Sequence, residues 1–174
     1  ASATGGVTIA AGCTDLFPAT QARNLPGVVL DITRLPGLRG IGETEGGLRI
    51  GAATTWSDVL AADLPPAFDM LKHSAREVGS CQIQNAGTLA GNICNASPAA
   101  DGVPCLLALD ASVDLTSVEG DRRLALSDFI TGPRQTNLRQ GEMLTAIHIP
   151  QAAMRGRSRF LKLGARKYLV ISIA

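Results

Sequence analysis

The apolar positions of this 174-residue chain change period several times, and the changes mark out its elements. Val7-Thr8-Ile9-Ala10-Ala11 is a short apolar run halted by Gly12, which predicts a strand running into a turn. Further strands are predicted over Gly27-Val28-Val29-Leu30-Asp31-Ile32 and over Leu48-Arg49-Ile50-Gly51-Ala52, the latter behind the turn signal Gly46-Gly47. Helical spacing follows. Ser57 is expected to cap a short helix over 58–62, and Pro66 to open a longer one on Phe68, Leu71, Ala75 and Val78. That helix should stop at Gly79. An apolar segment over 106–118 becomes alternating at Val113 and Leu115, and Glu119-Gly120-Asp121 reads as a hairpin turn. Strands are also expected over 124–130, 143–149, 160–163 and 169–171. Strands and helices mix without strict βαβ alternation, which favours an α+β fold over a doubly wound parallel sheet.

Residues 79–100 obey neither period, and they hold no charged side chain for 22 positions. A bilayer span needs about 20 mainly apolar residues. Here Gln82, Gln84, Asn85, Asn92, Asn95, Pro98 and three glycines intervene, so no membrane insertion is expected. The first residues, Ala1-Ser2-Ala3-Thr4-Gly5-Gly6, carry neither the basic nor the apolar region of a secretory leader, and a cytoplasmic protein is expected. Sixteen Lys and Arg against fifteen Asp and Glu leave a charge of +1, which removes the electrostatic case for nucleic acid as partner. The 45% hydrophobic content argues against disorder. Cys13, Cys81, Cys94 and Cys105 form no CxxC pair, so no metal site is expected and free thiols are. His73 on the long helix and His148 on a strand read as surface or packing residues, and no catalytic residue is assigned.

Two segments carry candidate chemistry. Ala11-Gly12-Cys13-Thr14-Asp15-Leu16 lies at the end of the first strand, and residues 85–101 continue the uncharged stretch up to Asp101. Each combines glycine with small hydroxyl or amide side chains and a later Asp. Successive N–H groups in such turns form concave nests that bind anions without a formal positive charge. Neither segment has the spacing of a P-loop or of the GxGxxG dinucleotide fingerprint.

Residues 11–16 resemble the AGGTDL loop of the FAD-binding subunits or domains of the molybdenum hydroxylases, the group of xanthine dehydrogenase and the carbon monoxide dehydrogenase medium subunit. The run GSCQIQNAGTLAGNICNASPAADGVPCLLALDA over 79–111 is similar, nearly position for position, to that family's second signature. Asp128-Phe129, Thr131-Gly132, Gly141-Glu142-Met143-Leu144, Ile149-Pro150 and Phe160-Leu161-Lys162-Leu163-Gly164-Ala165-Arg166 resemble its later blocks in the right order. The resemblance spans essentially the whole chain.

It implies a two-lobed α+β FAD-binding domain of the p-cresol methylhydroxylase type, with mixed and antiparallel sheets and flanking helices. Residues 1–52 would form the small lobe and 53–157 the larger one, and 158–174 would begin a further domain. Ala11, Gly12, Cys13, Thr14 and Asp15 would wrap the FAD pyrophosphate and ribityl chain. Thr88, Gly91, Asn92, Ser97 and Asp101 would hold them from the other lobe, Leu144 would touch the adenine or ring region, and Lys162 would sit by the pyrimidine edge of the isoalloxazine. Three positions depart from the family pattern. Cys13 stands for a glycine, so that position must tolerate a side chain or keep a negative φ. Ala90 also replaces a glycine, and Gln84 an arginine. The function implied is electron transfer through FAD from a partner's iron–sulfur clusters and a molybdenum-cofactor subunit to NAD, oxygen or quinone. A self-sufficient flavin oxidase or reductase of the same fold, and a non-redox nucleotide-binding scaffold, are the alternatives.

Overall fold

The computed structural model describes residues 6–21, 24, 25, 27–163 and 171–173. Strand β1 (Val7–Ala10) pairs in parallel with β2 (Val28–Asp31), and the short helix α1 (Leu16–Ala19) lies in the connection between them. Strands β3 (Ile41–Thr44) and β4 (Gly47–Gly51) form a hairpin. A helical layer follows: α2 (Trp56–Ala61), a 3-10 turn over Pro66–Phe68 running into α3 (Asp69–Glu77), then α4 (Cys81–Ala86), α5 (Leu89–Asn95) and α6 (Gly102–Ala108). Next come β5 (Ser112–Ser117), β6 (Gly120–Ala125), α7 (Leu126–Phe129), the small hairpin of β7 (Ile130–Gly132) and β8 (Gln135–Thr136), and the long strand β9 (Met143–Pro150). Finally β10 (Leu161–Leu163) pairs antiparallel with β11 (Ile171–Ile173).

The main sheet is antiparallel, in the order β3-β4-β9-β5-β6. Alternation along its central strands sends Ile50, Val113, Leu115, Ile147 and Ile149 into one core, where they belong to the same cluster as Phe68, Leu71, Leu89, Ile93, Leu106 and Phe129 from the helical side. The architecture is α+β, as the mixed periodicity implied.

Five local features depart from what the sequence leads one to expect. Strand β3 is not signalled by the sequence. Both β3 and β4 lie within residues 1–52 yet belong to the five-stranded sheet, β4 bonding directly to β9, so the sheet crosses the lobe division expected at 52. Thr55, not Ser57, caps α2: its side chain accepts from the Asp58 N–H at 3.1 Å while Asp58 accepts from the Thr55 N–H at 2.9 Å. Ser57 instead donates to Asn85 Oδ1, 2.5 Å away. The strand expected over 124–130 breaks at Leu126, because Leu126 and Phe129, three apart, are both fully buried and a helical turn places them on one face. The stretch over 79–101 holds two short helices rather than loops. Gly79, with φ +52°, ends the preceding helical region as expected.

Residues 1–5, Gly164-Ala165-Arg166 and Leu169-Val170 lie outside the described residues. Among those described, no helix is long and apolar enough to cross a membrane.

Candidate functional site

Residues 11–15 leave the end of β1, whose last carbonyl, Ala10 O, accepts from Ile32 N–H at 2.9 Å. Cys13 turns the chain with φ +56°, the left-handed conformation expected of the glycine that the resemblance places there. The position therefore tolerates a side chain at positive φ; the negative-φ alternative does not hold. The Cys13 Sγ donates to Ala11 O at 3.4 Å, and the carbonyls of Cys13 and Asp15 accept from Phe17 and Ala19. Among the described residues no protein group accepts from the N–H groups of Gly12, Cys13, Thr14 or Asp15. Four successive unengaged amides around a left-handed residue make a nest suited to an anion. Cys13→Gly, which keeps this conformation at no steric cost, is expected to raise stability by roughly 1 kcal/mol, read as a higher urea midpoint.

The second segment touches the first through main chain. A Cβ on Gly12 would lie 1.8 Å from Ala86 O and 2.8 Å from Gly87 Cα, so only glycine permits this approach. Gly87 O in turn accepts from Trp56 N–H at 3.1 Å, and Thr54 O accepts from Leu89 N–H at 3.0 Å. Thr88 caps α5 by accepting from Gly91 N–H at 3.0 Å. Asn92 Oδ1 reaches across to accept from Gly102 N–H at 3.2 Å, and Ser97 Oγ accepts from Ala99 N–H at 3.3 Å. The buried Trp56 indole packs beside both Gly87 and Gly102, whose added Cβ atoms would stand 3.4 and 2.7 Å from it. This ring shapes the segment, and its signal in the sequence is that it is the chain's only tryptophan.

Between the two segments lies a cavity of about 420 Å³, a volume within the usual range for small-molecule and cofactor sites. Ala11, Gly12, Cys13, Thr14, Asp15, Thr88, Gly91, Asn92, Ser97, Asp101 and Leu144 all line it. Lys162 does not: its Nζ stands 2.8 Å from Asp101 Oδ2, both side chains being largely buried. Trp56, Thr136, Leu138, Glu142 and Met143 line the cavity without having been anticipated as site residues. Met143 and Leu144 are adjacent on one strand yet both reach it. The pairing of β5 with β9 slips between Asp114 and Leu115, leaving Thr145 as an extra residue that bends β9 there.

Among the described residues no Lys or Arg lines the cavity, whereas Asp15, Asp101 and Glu142 do. A bound diphosphate would thus be held by N–H groups, the donor set that the nest supplies. Glu142 accepts from Arg122 Nε at 2.6 Å, from Arg122 Nη2 at 2.8 Å and from Arg139 N–H at 2.7 Å. The hydrogen-bonded Arg122 guanidinium, followed by the Arg139 amide, holds its carboxyl below the usual glutamate range against the opposing effect of burial. A lowered carboxyl contributes stability that is complete above the unfolded-state pKa, about 4.3, and is lost as pH falls through the folded value. Glu142→Gln is therefore expected to cost about 1–2 kcal/mol at pH 7, a deficit that shrinks below about pH 4 when urea unfolding is followed against pH. Burial raises both cavity thiols: Cys94 to about 11, and Cys13 with a further contribution from Asp31. Neither is a thiolate nucleophile at neutral pH.

The histidines stand apart from the cavity lining. His73 is exposed on α3. His148 Nε2 lies 2.7 Å from Asp114 Oδ2 and 2.8 Å from Arg123 Nη2, in a cross-strand cluster. Burial raises the Asp114 pKa, but Arg123 and His148 outweigh it and hold the group below its ordinary value. All four cysteines are free, Cys105 buried and Cys81 exposed.

The family model described as the FAD binding domain in molybdopterin dehydrogenase matches residues 1–152. The chain belongs to this family. The nicotinate dehydrogenase FAD-subunit of Eubacterium barkeri is 38% identical over 170 residues, covering 95% of this chain and 57% of that one. The glyceraldehyde dehydrogenase medium chain of Sulfolobus acidocaldarius is 37% identical over 142 residues, covering 80% and 50%. A solved structure of reconstituted CO dehydrogenase from Oligotropha carboxidovorans superposes with a TM-score of 0.83 at 27% identity, covering 96% of this chain and 59% of that one. The chain thus spans about half the length of the curated relatives it matches. Its fold is that of the FAD-binding part of these oxidoreductases, and FAD is the family's cofactor.

Proposed function

We propose that the chain is the FAD-holding part of a molybdenum-hydroxylase-type dehydrogenase, carrying electrons from iron–sulfur clusters of a partner subunit, which drains a molybdenum-cofactor subunit, towards NAD, oxygen or quinone. The observation that carries this reading is the meeting of the Gly12 loop, whose amides no described group engages, and the small-residue segment at Ala86 and Gly87 across one cavity. FAD, when bound, supplies the redox chemistry by taking up and releasing electrons at its isoalloxazine ring. The protein's share is to bind and orient. The Gly12, Cys13, Thr14 and Asp15 amides donate to the diphosphate, Thr88, Gly91, Asn92 and Ser97 bound it from the other side, and Leu144 with Met143 offers an apolar wall. Lys162 acts on the site through Asp101, offsetting that carboxylate's charge beside an anionic cofactor. The relatives' names, a medium chain and an FAD-subunit, support a place among several chains. The reading keeps two lobes about the cavity, a further domain beginning near residue 158, and a cytoplasmic setting.

The test is spectroscopic. Incubated with FAD and desalted, the chain should retain a yellow chromophore that denaturation releases as FAD. A colourless product with no binding at micromolar FAD would overturn the reading. Co-elution with iron–sulfur and molybdenum subunits supports the electron-transfer role; turnover of an organic substrate by the flavin-loaded chain alone would replace it with a self-sufficient oxidase.

A further inference from the structure

Thr136, on β8, and Asn95, at the end of α5, both line the cavity, although they belong to separate parts of the chain. What joins those parts is Arg134. It occupies the second place of the two-residue turn Pro133-Arg134 that links β7 to β8, with φ +55°. A turn with proline first and positive φ second ordinarily takes glycine there. Arginine stands in this place with both of its ends engaged. Its guanidinium Nη1 donates to Asn95 Oδ1 at 2.8 Å, and its backbone N–H donates to Ala96 O at 2.7 Å. Ala96 is itself left-handed, with φ +44°, where α5 ends. Two non-glycine residues in a conformation that side chains rarely adopt are therefore tied by one hydrogen bond, beside Asn95 and Thr136, which line the cavity. Such a pair persists only where the surroundings over-determine it, and it clusters at ligand clamps.

We infer that Arg134 is a positioning residue for cofactor retention: it latches the β7–β8 hairpin to the end of α5, so that Thr136 and Asn95 together close one side of the cavity. This rests on the cavity being the FAD site. The latch keeps the hairpin from swinging away while the cofactor is bound, and its loss should appear mainly in the rate of release.

The variant Arg134→Gly removes the guanidinium while keeping the backbone N–H and favouring the observed φ. Apoprotein stability should therefore be unchanged or slightly higher. FAD dissociation, followed by flavin fluorescence on dilution, should nevertheless quicken about tenfold, the scale of one lost hydrogen bond from a charged donor. In an Asn95→Ala background the same substitution should add little, because its partner is gone. An unchanged release rate, or an equal effect in both backgrounds, would overturn the latch. Amide exchange of the FAD-free protein separates this from the cofactor assignment. Residues 130–136 should exchange faster in Arg134→Gly than in wild type whether or not FAD binds, and equal exchange also counts against the latch. Failure of the wild-type chain to take up FAD, with the exchange difference present, refutes the cofactor reading and the retention role built on it while leaving the hairpin contact standing.

Discussion

Gly12→Ala is expected to abolish FAD retention, weakening binding at least about 100-fold, and to destabilise the apoprotein by about 2–3 kcal/mol. The added methyl carbon would meet Ala86 O at 1.8 Å, Ala86 C at 2.4 Å and Gly87 Cα at 2.8 Å. All three are main-chain atoms, so no rotamer change relieves the clash and the two segments must part. Parting them also disturbs the bond from Trp56 N–H to Gly87 O and, through Thr88, the cap of α5. Gly46→Ala is the control, since its added Cβ meets nothing within 4 Å and it has no left-handed φ. Fluorescence titration with FAD and thermal unfolding of both variants measure the two effects. Wild-type affinity in Gly12→Ala would refute the role given to this contact.

Lys162→Ala is expected to be the next most damaging change. Lys162 and Asp101 have side-chain exposures of only 15% and 11%. Removing the lysine takes a cation from beside a mostly buried carboxylate, here at a cost of about 2–3 kcal/mol. With that cation gone the Asp101 carboxylate would stand beside an anionic cofactor, and FAD affinity should fall about tenfold as well. Adding Asp101→Asn removes the carboxylate that Lys162 offsets, so the double variant should recover much of both losses. Titration calorimetry and urea unfolding of the two single variants and the double one test this. The cofactor role of the pair fails if Lys162→Ala binds FAD normally, or if the double variant is no better than the single.

The parts of the fold that could be read in advance are those where one force dominates. Phe68, Leu71, Ala75 and Val78 give a clean helical face, and β9 alternates on either side of its slip at Thr145, so burial alone predicts α3 and the centre of the sheet. The short helices α4 and α5 escaped because the Gly, Asn and Cys residues within them are weak helix formers. What holds them is tertiary: the Thr88 cap, the Trp56 ring and the bond from Thr54 O to Leu89 N–H. Ser57 and Thr55 can each serve as a cap, and only the reciprocal contact with Asp58 decides for Thr55. Eleven of the twelve expected site residues line one cavity because their motifs are contiguous in sequence. Lys162 stands behind Asp101, a relation set by an ion pair between distant segments. Trp56, Glu142 and Arg134 act by packing or by bonds to residues far along the chain, and neither period nor spacing carries that information.

The place of β9 between β4 and β5 also bears on how the molecule is made. Its register joins Gly47 to Pro150, residues roughly a hundred positions apart, and long-range strand pairing of this kind is slow to nucleate. A nascent chain emerging from the ribosome holds both neighbours before it holds the strand that must slot between them. Met143 and Leu144 arrive on that same strand, so the cavity has no finished wall until sheet assembly is complete. Whatever the cavity binds must therefore wait for the last stage of folding, and a chain halted before residue 143 would expose an unfilled gap in its sheet to aggregation.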